Sequence, residues 1–306
     1  MQESPDKIRV ITLEGPTAVG KTELAASLAI HLGTSVISAD ARQCYREMEI
    51  GVARPEEEIL AACPHHFIAD RSIEKAWTAG DFETEALALI ETLSQTHKEV
   101  VLAGGSNLYI SALLEGLDSF PEVDEGSRAR VAKLEAAHGL RGLQEALQEV
   151  DPDYFKLVDV ENPRRLTRAL EVSWSSGKPY SSFRRQQSLK RPFQVQRIIL
   201  ERSRESLYER INLRVELMLE AGLEEEARKL YPQRGLSTLD TVGYRELFGY
   251  FDGLYDREEA LRLIKRNSRH YAKRQLTWLR SVQDAIRIDL DKEPHPLDLI
   301  LSKLAG

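Results

Sequence analysis

Eight consecutive residues near the start of the chain have the spacing of an anion-binding loop. The segment from Gly15 to Thr22 fits the pattern G-x-x-x-x-G-K-S/T, with an apolar strand-like run before it and a helical pattern after it. Glycines let such a loop curl until successive backbone N–H groups face an anion, and the following helix directs its positive end at the same point. Lys21 adds a charge, and the Thr22 hydroxyl can hold a Mg²⁺ ion. The residues predicted to bind a di- or triphosphate are Gly15, Pro16, Thr17, Ala18, Val19, Gly20, Lys21 and Thr22.

A lone carboxylate follows the next apolar run. Asp40 comes directly after Val36-Ile37-Ser38-Ala39, whose β-branched residues predict a second strand. Because neighbouring parallel strands end in one crevice, we expect Asp40 to lie near Lys21. There it would act as a general base or help to hold Mg²⁺. The alternative is that Asp40 only caps the following turn.

A third apolar run, Val100 to Ala103, ends in Gly104-Gly105-Ser106. Enzymes that transfer phosphoryl groups usually place an acidic residue at such a strand end, where it helps to hold Mg²⁺. Two glycines and a hydroxyl instead suit the close approach of a diphosphate or of a substrate backbone. The sequence therefore weakens the default interpretation as a kinase or NTPase without excluding it.

Strand-like and helical patterns alternate through the first third of the chain, which predicts a parallel α/β sheet flanked by helices. The predicted strands are 8–13, 36–38, 100–103 and 195–200, and the predicted helices are 22–32, 82–96, 206–221, 224–230 and 258–282. Residues 123–190 have helical patterns and no convincing strand. We therefore predict a core of residues 1–122 and 191–306, interrupted by a helical insertion domain of residues 123–190.

The charge of the chain is unevenly distributed. The net charge of the 306 residues is −7, yet residues 260–283 contain no acidic residue. Within that stretch Arg262, Arg266, Arg269 and Lys273 recur at helical spacing, so one helix would place them on one side. Such a face could follow the phosphates of a polyanion, and the plainer alternative is a solvated helix surface.

Several classes of protein are disfavoured by composition. No apolar run is long enough to span a membrane, and residues 1–6 lack the basic start and apolar run of a signal peptide. Cys44 and Cys63 are the only cysteines, too few for a disulfide framework or a cysteine zinc site. We expect a protein of the reducing cytoplasm without a membrane partner.

Seven motifs follow one another along the chain. They are Gly15 to Thr22, Asp40 to Tyr45 with Met48 to Gly51, Pro64 to Phe67, Gly104 to Tyr109, Asn162 to Glu171, Thr241 to Glu246 and Ala272 to Arg280. Each motif is moderately specific, and their common order is hard to explain otherwise. From about residue 11 to residue 280 the chain resembles the tRNA dimethylallyltransferases, also called tRNA isopentenylpyrophosphate transferases.

The resemblance implies a P-loop NTPase-like fold and a reaction. The enzyme would move the dimethylallyl group of dimethylallyl diphosphate onto N6 of the adenosine at tRNA position 37, next to the anticodon. Asp40 would be the general base, Ser106 would offer its hydroxyl in the reaction channel, and Lys21 and Thr22 would hold the diphosphate with its Mg²⁺ cofactor. The family's insertion is a mobile helical domain, and a single chain is expected to act as a monomer.

The resemblance also implies which residues contact the anticodon stem-loop of tRNA. They lie in the Asp40 segment, the predicted insertion and the basic C-terminal helix. The residues are Asp40, Ala41, Arg42, Gln43, Ser106, Arg128, Arg164, Arg165, Leu166, Thr167, Arg168, Val242, Gly243, Tyr244, Arg245, Lys273, Arg274, Gln275, Trp278 and Arg280.

Two departures from the family pattern concern the site. Ala41 stands where many relatives have Ser, and Asp240 lies where some relatives carry a functional Arg, so a cation from elsewhere would have to replace it. On the basic helix, Tyr271 and Trp278 are interpreted as core residues. Three other functions stay open: an isopentenyltransferase of free adenine nucleotides, a P-loop kinase of a small metabolite, and a non-catalytic RNA-binding protein.

Overall fold

A computed structural model describes residues 7–184 and 189–305. The expectation about residues 1–6, and the part of the predicted insertion at 185–188, fall outside these ranges. Within them, six strands form one sheet in which every neighbouring pair is parallel. The strands are β1 (Arg9–Glu14), β2 (Val36–Ala39), β3 (His65–His66), β4 (Glu99–Gly104), β5 (Gln194–Glu201) and β6 (Ala285–Asp289), in the order β3-β2-β4-β1-β5-β6.

Helices accompany the sheet, as parallel strands require for their crossover connections. The central strand β1 shows why the sheet must be covered, because Val10, Ile11 and Leu13 are all fully buried. The helices before the insertion are α1 (Lys21–Leu32), α2 (Glu57–Ala62), α3 (Ala79–Leu93) and α4 (Asn107–Glu115). The insertion, described below, contains the next three helices. After it come α8 (Arg204–Glu220), α9 (Leu223–Leu230), α10 (Tyr244–Phe251), α11 (Arg257–Leu279) and α12 (Pro296–Ala305). None of the described helices combines the length and the apolar sequence that a membrane crossing requires.

The segment Gly116–Leu189 forms a compact unit of its own, and the described residues on either side of it form the other. It contains α5 (Glu125–Val150), α6 (Pro152–Phe155) and α7 (Pro163–Ser176). Its core is built by Val131, Leu143, Leu147, Leu166, Ala169 and Leu170. The side chain of Leu166 is fully buried there, so the prediction that it contacts RNA is wrong. Apolar spacing along α7 turns this residue inward.

The predicted fold class, a parallel sheet flanked by helices, is confirmed. The predicted strands reappear as β1, β2, β4 and β5, with ends that differ by at most one residue. The helix predicted for residues 258–282 ends earlier, at Leu279. Strands β3 and β6 and helices α2, α4, α10 and α12 were not predicted. The exact limits proposed for the two domains remain a prediction.

Candidate active site

The loop between β1 and α1 has the backbone shape of an anion cradle. Ala18 and Gly20 have φ angles of 65° and 116°, and α1 begins with Lys21 immediately afterwards. Gly15 has no room for a side chain, since a Cβ there would lie 2.9 Å from the Val19 side chain and 3.0 Å from the Leu200 carbonyl oxygen. The loop is therefore fixed closely against β5, with the N-terminus of α1 directed at its centre.

Lys21 is held inside this loop. Its Nζ donates to the carbonyl oxygens of Gly15 and Pro16, both at 2.8 Å. Burial, followed by the nearby charge of Arg214, lowers the pKa of Lys21 to about 7, and the charge of Asp40 opposes that shift. The side chain is thus placed for an anion in the loop, whose charge would favour the protonated form.

A second cation of the site, Arg214, was missed in the sequence. It lies on α8, and its Nη1 is 3.4 Å from the Thr17 hydroxyl of the loop. Burial lowers the pKa of its guanidinium. On the same helix Arg210 donates to the Ala18 carbonyl at 2.7 Å. Arg210 and Arg214 are one turn apart on α8, a spacing that is ordinary for charged residues of a helix and therefore gave no signal in the sequence.

Asp40 lies at the end of β2, as expected. Its Oδ1 accepts the backbone N–H groups of Arg42 at 2.8 Å and Gln43 at 3.2 Å, so it caps the following turn. It also lines a cavity together with Lys21. The two interpretations of Asp40 are therefore compatible, because Oδ1 holds the turn and Oδ2 is the oxygen left to take a proton.

The glycines after β4 allow three segments to meet. A Cβ on Gly104 would lie 2.2 Å from the Ala39 carbonyl oxygen, and one on Gly105 would lie 2.4 Å from Nε2 of Gln275. Gln275 is buried and uses both ends of its amide on backbone: Oε1 accepts from Thr17 N at 2.9 Å, and Nε2 donates to the Gly105 carbonyl at 2.8 Å. Gln275 was predicted to contact RNA. Its amide is instead used within the protein, where it joins α11 to the phosphate loop and to the loop after β4.

Ser106 is fixed beside the Asp40 turn. Its Oγ accepts the backbone N–H of Ala41 at 2.9 Å, and its own N–H donates to the Ala39 carbonyl at 3.2 Å. The Ser106 hydroxyl also lowers the pKa of the nearby Tyr271 phenol, from α11. The turn after β2 and the loop after β4 are therefore joined through this one hydroxyl.

Two cavities meet at Asp40. The first is lined by five residues of the phosphate loop, namely Thr17, Ala18, Gly20, Lys21 and Thr22. The second, of about 850 Å³, has an apolar wall from α8 and α11 that includes Val215 and Ile264. The residues that line both are Thr17, Asp40, Val52, Ala53 and Arg214. A polar chamber for an anion and a more apolar chamber thus share one carboxylate.

Comparison with known proteins decides the family. The sequence model described as IPP transferase matches residues 43–282. The chain is 47% identical to the tRNA dimethylallyltransferase of Christiangramia forsetii, over 96% of this chain and 98% of that one, and 49% identical to that of Cytophaga hutchinsonii, over 88% of each. The chain belongs to the IPP transferase family.

Solved structures agree with this assignment. The full-length tRNA isopentenylpyrophosphate transferase of Bacillus halodurans is 34% identical, with a TM-score of 0.74 over 98% of this chain and 96% of that one. A eukaryotic dimethylallyltransferase acting on tRNA, at 23% identity and a TM-score of 0.78, shares the fold. The predicted resemblance and the P-loop NTPase-like fold of this IPP transferase are confirmed.

Residues 49–54 form one wall of both cavities, and a carboxylate of α9 holds their backbone in place. In this IPP transferase the Glu226 carboxylate on α9 accepts three successive backbone N–H groups, those of Glu49, Ile50 and Gly51, each at 2.9 Å. The fully buried Tyr244 donates its hydroxyl to the same carboxylate at 2.5 Å. The predicted RNA contact of the Tyr244 side chain is therefore wrong, because that side chain supports the wall.

The other predicted RNA contacts in the core differ in accessibility. Lys273 and Arg274 on α11 and Arg280 just after its end are exposed, whereas Trp278 is half-buried with the Arg197 guanidinium 5.6 Å from its ring centre. Trp278 was interpreted as a core residue, and this packing agrees. Val242 and Gly243 line the second cavity, as does Arg42, and the Gln43 amide donates to the Ala53 carbonyl at 2.8 Å. Arg245 pairs with Asp240 at 3.2 Å.

In the separate unit Gly116–Leu189, the predicted contacts other than Leu166 keep exposed or half-exposed side chains. Arg128 lies in the first turn of α5, and α7 presents Arg164, Arg165 and Arg168 to solvent, with Thr167 half-buried. Three exposed guanidinium groups on one short helix suit an RNA backbone.

The cations of α11 that were predicted to follow RNA phosphates make hydrogen bonds within the protein. Arg262 makes two 2.6 Å hydrogen bonds to Glu259, and Arg269 donates to Asn212 at 2.7 Å. Arg266 donates to Asn267 at 3.1 Å. Arg266 and Arg269 are half-buried, whereas Arg262 keeps an exposed side chain beside Glu259, and Lys273 and Arg274 are exposed toward the C-terminal end.

Proposed function

We propose that this protein transfers the dimethylallyl group of dimethylallyl diphosphate to N6 of the adenosine at tRNA position 37, releasing diphosphate. One observation carries the proposal: Asp40 stands where a cavity containing Lys21 and Arg214 meets a more apolar one. The names of the similar enzymes support the same substrates.

The chemistry follows from these groups. The bond between the allylic carbon and the diphosphate oxygen breaks, with the electron pair leaving on diphosphate, and a bond from N6 to that carbon forms. The N6 amine is a poor nucleophile because its lone pair is delocalised into the ring, so loss of its proton to Oδ2 of Asp40 assists the attack. Lys21, Arg214 and the loop N–H groups stabilise the charge that develops on the departing diphosphate.

The first cavity also fits a Mg²⁺ ion. Thr22 would supply a hydroxyl to it, and the described residues contain no group of three or more His, Cys, Asp or Glu side chains that could form a separate metal site. This agrees with the habit of Mg²⁺ to use one or two protein oxygens and to take its remaining ligands from phosphate and water. When bound, the ion would neutralise part of the diphosphate charge.

The RNA partner is the anticodon stem-loop. A base in such a loop can be turned out of its stack, so N6 can reach Asp40 without the opening of a duplex. The exposed cations of α7 and the C-terminal part of α11 support binding of the stem. A tRNA substrate would place the enzyme in the cytoplasm, and since one chain supplies both cavities, we propose that a monomer suffices.

Transfer of label tests the proposal. The protein is incubated with labelled dimethylallyl diphosphate, Mg²⁺ and an unmodified tRNA that reads codons beginning with U. We expect label in the tRNA, and a loss of about 10²–10⁴-fold for Asp40→Asn with tRNA binding retained, because a general base contributes about that much. Asp153→Asn, an exposed aspartate of the separate unit, is the matched control.

Three results would contradict the assignment. Full activity of Asp40→Asn would remove Asp40 as the base. Label on AMP but never on tRNA would favour an isopentenyltransferase of free nucleotides. Transfer of a phosphoryl group from ATP to a metabolite would favour the kinase.

A further inference from the structure

Tyr271 faces the site rather than the core. It lies on α11, one turn before Gln275, and its side chain is 37% exposed and lines the second cavity together with Asp40 and Arg42. The sequence interpretation of Tyr271 as a core residue was therefore wrong. Helical spacing alone could not distinguish the two, because the cavity is cut into the buried side of the same helix.

The hydroxyls of Tyr271 and Ser106 leave one proton unused. A hydroxyl carries one proton and two acceptor positions. Ser106 Oγ accepts the Ala41 N–H at 2.9 Å, and its hydroxyl lowers the pKa of the nearby Tyr271 phenol, as a hydrogen bond donated to that oxygen does. The phenol proton of Tyr271 is then left for an acceptor in the cavity that this side chain lines.

That proton is retained under ordinary conditions. Burial, followed by the negative charge of Asp40, raises the pKa of Tyr271 to about 12. The phenol is therefore a donor at any pH at which the protein would work. Its neighbourhood combines an O–H donor with the carboxylate acceptor of Asp40, within one cavity.

Adenine presents the complementary edge. Its N6 amine donates, and the ring nitrogens N1 and N7 on either side of that amine accept. Guanine has an acceptor oxygen in place of the amine, which would face the Asp40 carboxylate without a proton between them. A donor placed beside a carboxylate thus matches adenine and opposes guanine.

We propose that Tyr271, acting with Ser106, recognises the target base by donating a hydroxyl proton to the ring nitrogen that flanks N6, while Asp40 accepts from the amine. The proposal rests on the proposed transfer to adenosine. It makes Tyr271 a specificity residue of that reaction, since it orients the amine toward the allylic carbon.

The test combines a protein variant with altered bases. Tyr271→Phe and the unchanged enzyme are compared on anticodon stem-loops that carry adenosine, 1-deazaadenosine or 7-deazaadenosine at the target position. We expect Tyr271→Phe to lower kcat/KM on adenosine about 5- to 20-fold, as for loss of one buried hydrogen bond. The unchanged enzyme should lose a similar factor on one deaza substrate, on which Tyr271→Phe should show no further loss.

The KM for dimethylallyl diphosphate should stay the same, because the phenol lies in the other chamber. Tyr250→Phe, on α10 and away from both cavities, is the control and should match the unchanged enzyme. If Tyr271→Phe were as active as the unchanged enzyme on all three substrates, the inference would be overturned. The same holds if the deaza bases lower kcat/KM by the same factor in Tyr271→Phe and in the unchanged enzyme. Failure of the unchanged enzyme on adenosine would instead sink the proposed function.

Discussion

At the scale of single residues, Lys21 is an amine held in a buried and positively charged environment. Its ammonium group sits on the carbonyl oxygens of Gly15 and Pro16, beside the positive charge of Arg214. Burial and that charge hold its pKa near 7 rather than at its ordinary 10.5. A phosphate group in the loop would reverse the balance, since it brings negative charge next to the amine.

Binding of inorganic diphosphate should therefore take up a proton at Lys21. Above pH 7 the amine is neutral in the free protein and becomes charged in the complex, so affinity should fall as pH rises from 7 to 9, with a limiting slope of about tenfold per pH unit. Titration calorimetry at pH 8 in buffers of different ionisation enthalpy measures the uptake. The arginine of Lys21→Arg stays charged. In this variant, the only proton uptake on binding should be the uptake by diphosphate itself. Equal uptake by both proteins would refute this assignment.

The residues with a local signature were predicted from the sequence, and those without one were missed. Lys21 and Asp40 were found because a loop pattern and a strand end identify them. Arg214 and Tyr271 lie inside long helices, where charged and aromatic side chains at helical spacing are ordinary. What makes them part of the site is the approach of α8 and α11 to the phosphate loop, a tertiary fact that no local pattern contains.

At the scale of elements, the wall formed by residues 49–54 is held from two sides. Glu226 on α9 accepts three successive N–H groups from Glu49, Ile50 and Gly51. From within the segment, Arg54 Nη2 donates to the carbonyl oxygens of Tyr45, Arg46 and Met48. Backbone groups that no strand or helix could satisfy are thereby paired, which fixes the position of Val52 and Ala53 in both cavities.

Glu226→Gln should loosen this wall. The amide keeps one acceptor oxygen and puts a donor against an N–H group, which leaves a partly buried donor unpaired at a cost of about 1 kcal/mol, the lower end of the range for buried groups. We expect faster amide exchange in residues 49–51, by hydrogen–deuterium exchange mass spectrometry, and a kcat/KM for tRNA about tenfold lower. Glu225→Gln, on the exposed side of the same helix, should change neither quantity. Unaltered exchange at 49–51 in Glu226→Gln would show that the clamp is dispensable.

Element prediction succeeded where patterns were long. The buried runs of β1 and β4 and the helical repeat of α8 exceed what chance spacing produces. Strand β3 has two residues, His65 and His66, which is too few for any period. Strand β6 is a five-residue edge strand that follows closely after α11, and only its pairing with β5 defines it.

At the scale of the whole molecule, a buried ion pair joins chain segments on either side of the helical unit. Glu14, at the end of β1, is fully buried and receives two 2.8 Å hydrogen bonds from Arg197 of β5. The Thr12 hydroxyl donates to the same carboxylate at 2.7 Å. Glu115 is a weaker partner of the same arginine, at 3.7 Å and exposed to solvent.

Loss of the buried partner should destabilise the fold strongly. In Glu14→Gln the guanidinium loses its buried countercharge, and we expect the free energy of unfolding in urea to fall by about 3 kcal/mol. Glu115→Gln removes the solvent-exposed partner of the same arginine and should cost less than about 1 kcal/mol. Equal losses in the two variants would mean that burial of Glu14 does not determine its contribution.

The amide of Gln275 has a consequence for how two ligands sense each other. Helix α11 offers Lys273 and Arg274 to the solvent and, between them and its C-terminal end, a buried amide tied to Thr17 and Gly105. A nucleic acid bound to these exposed cations and an anion bound in the phosphate loop therefore both contact α11 or groups hydrogen-bonded to it. Binding of the two ligands is then thermodynamically coupled. If bound RNA raises the affinity for the diphosphate substrate by some factor, bound diphosphate substrate raises the affinity for RNA by the same factor.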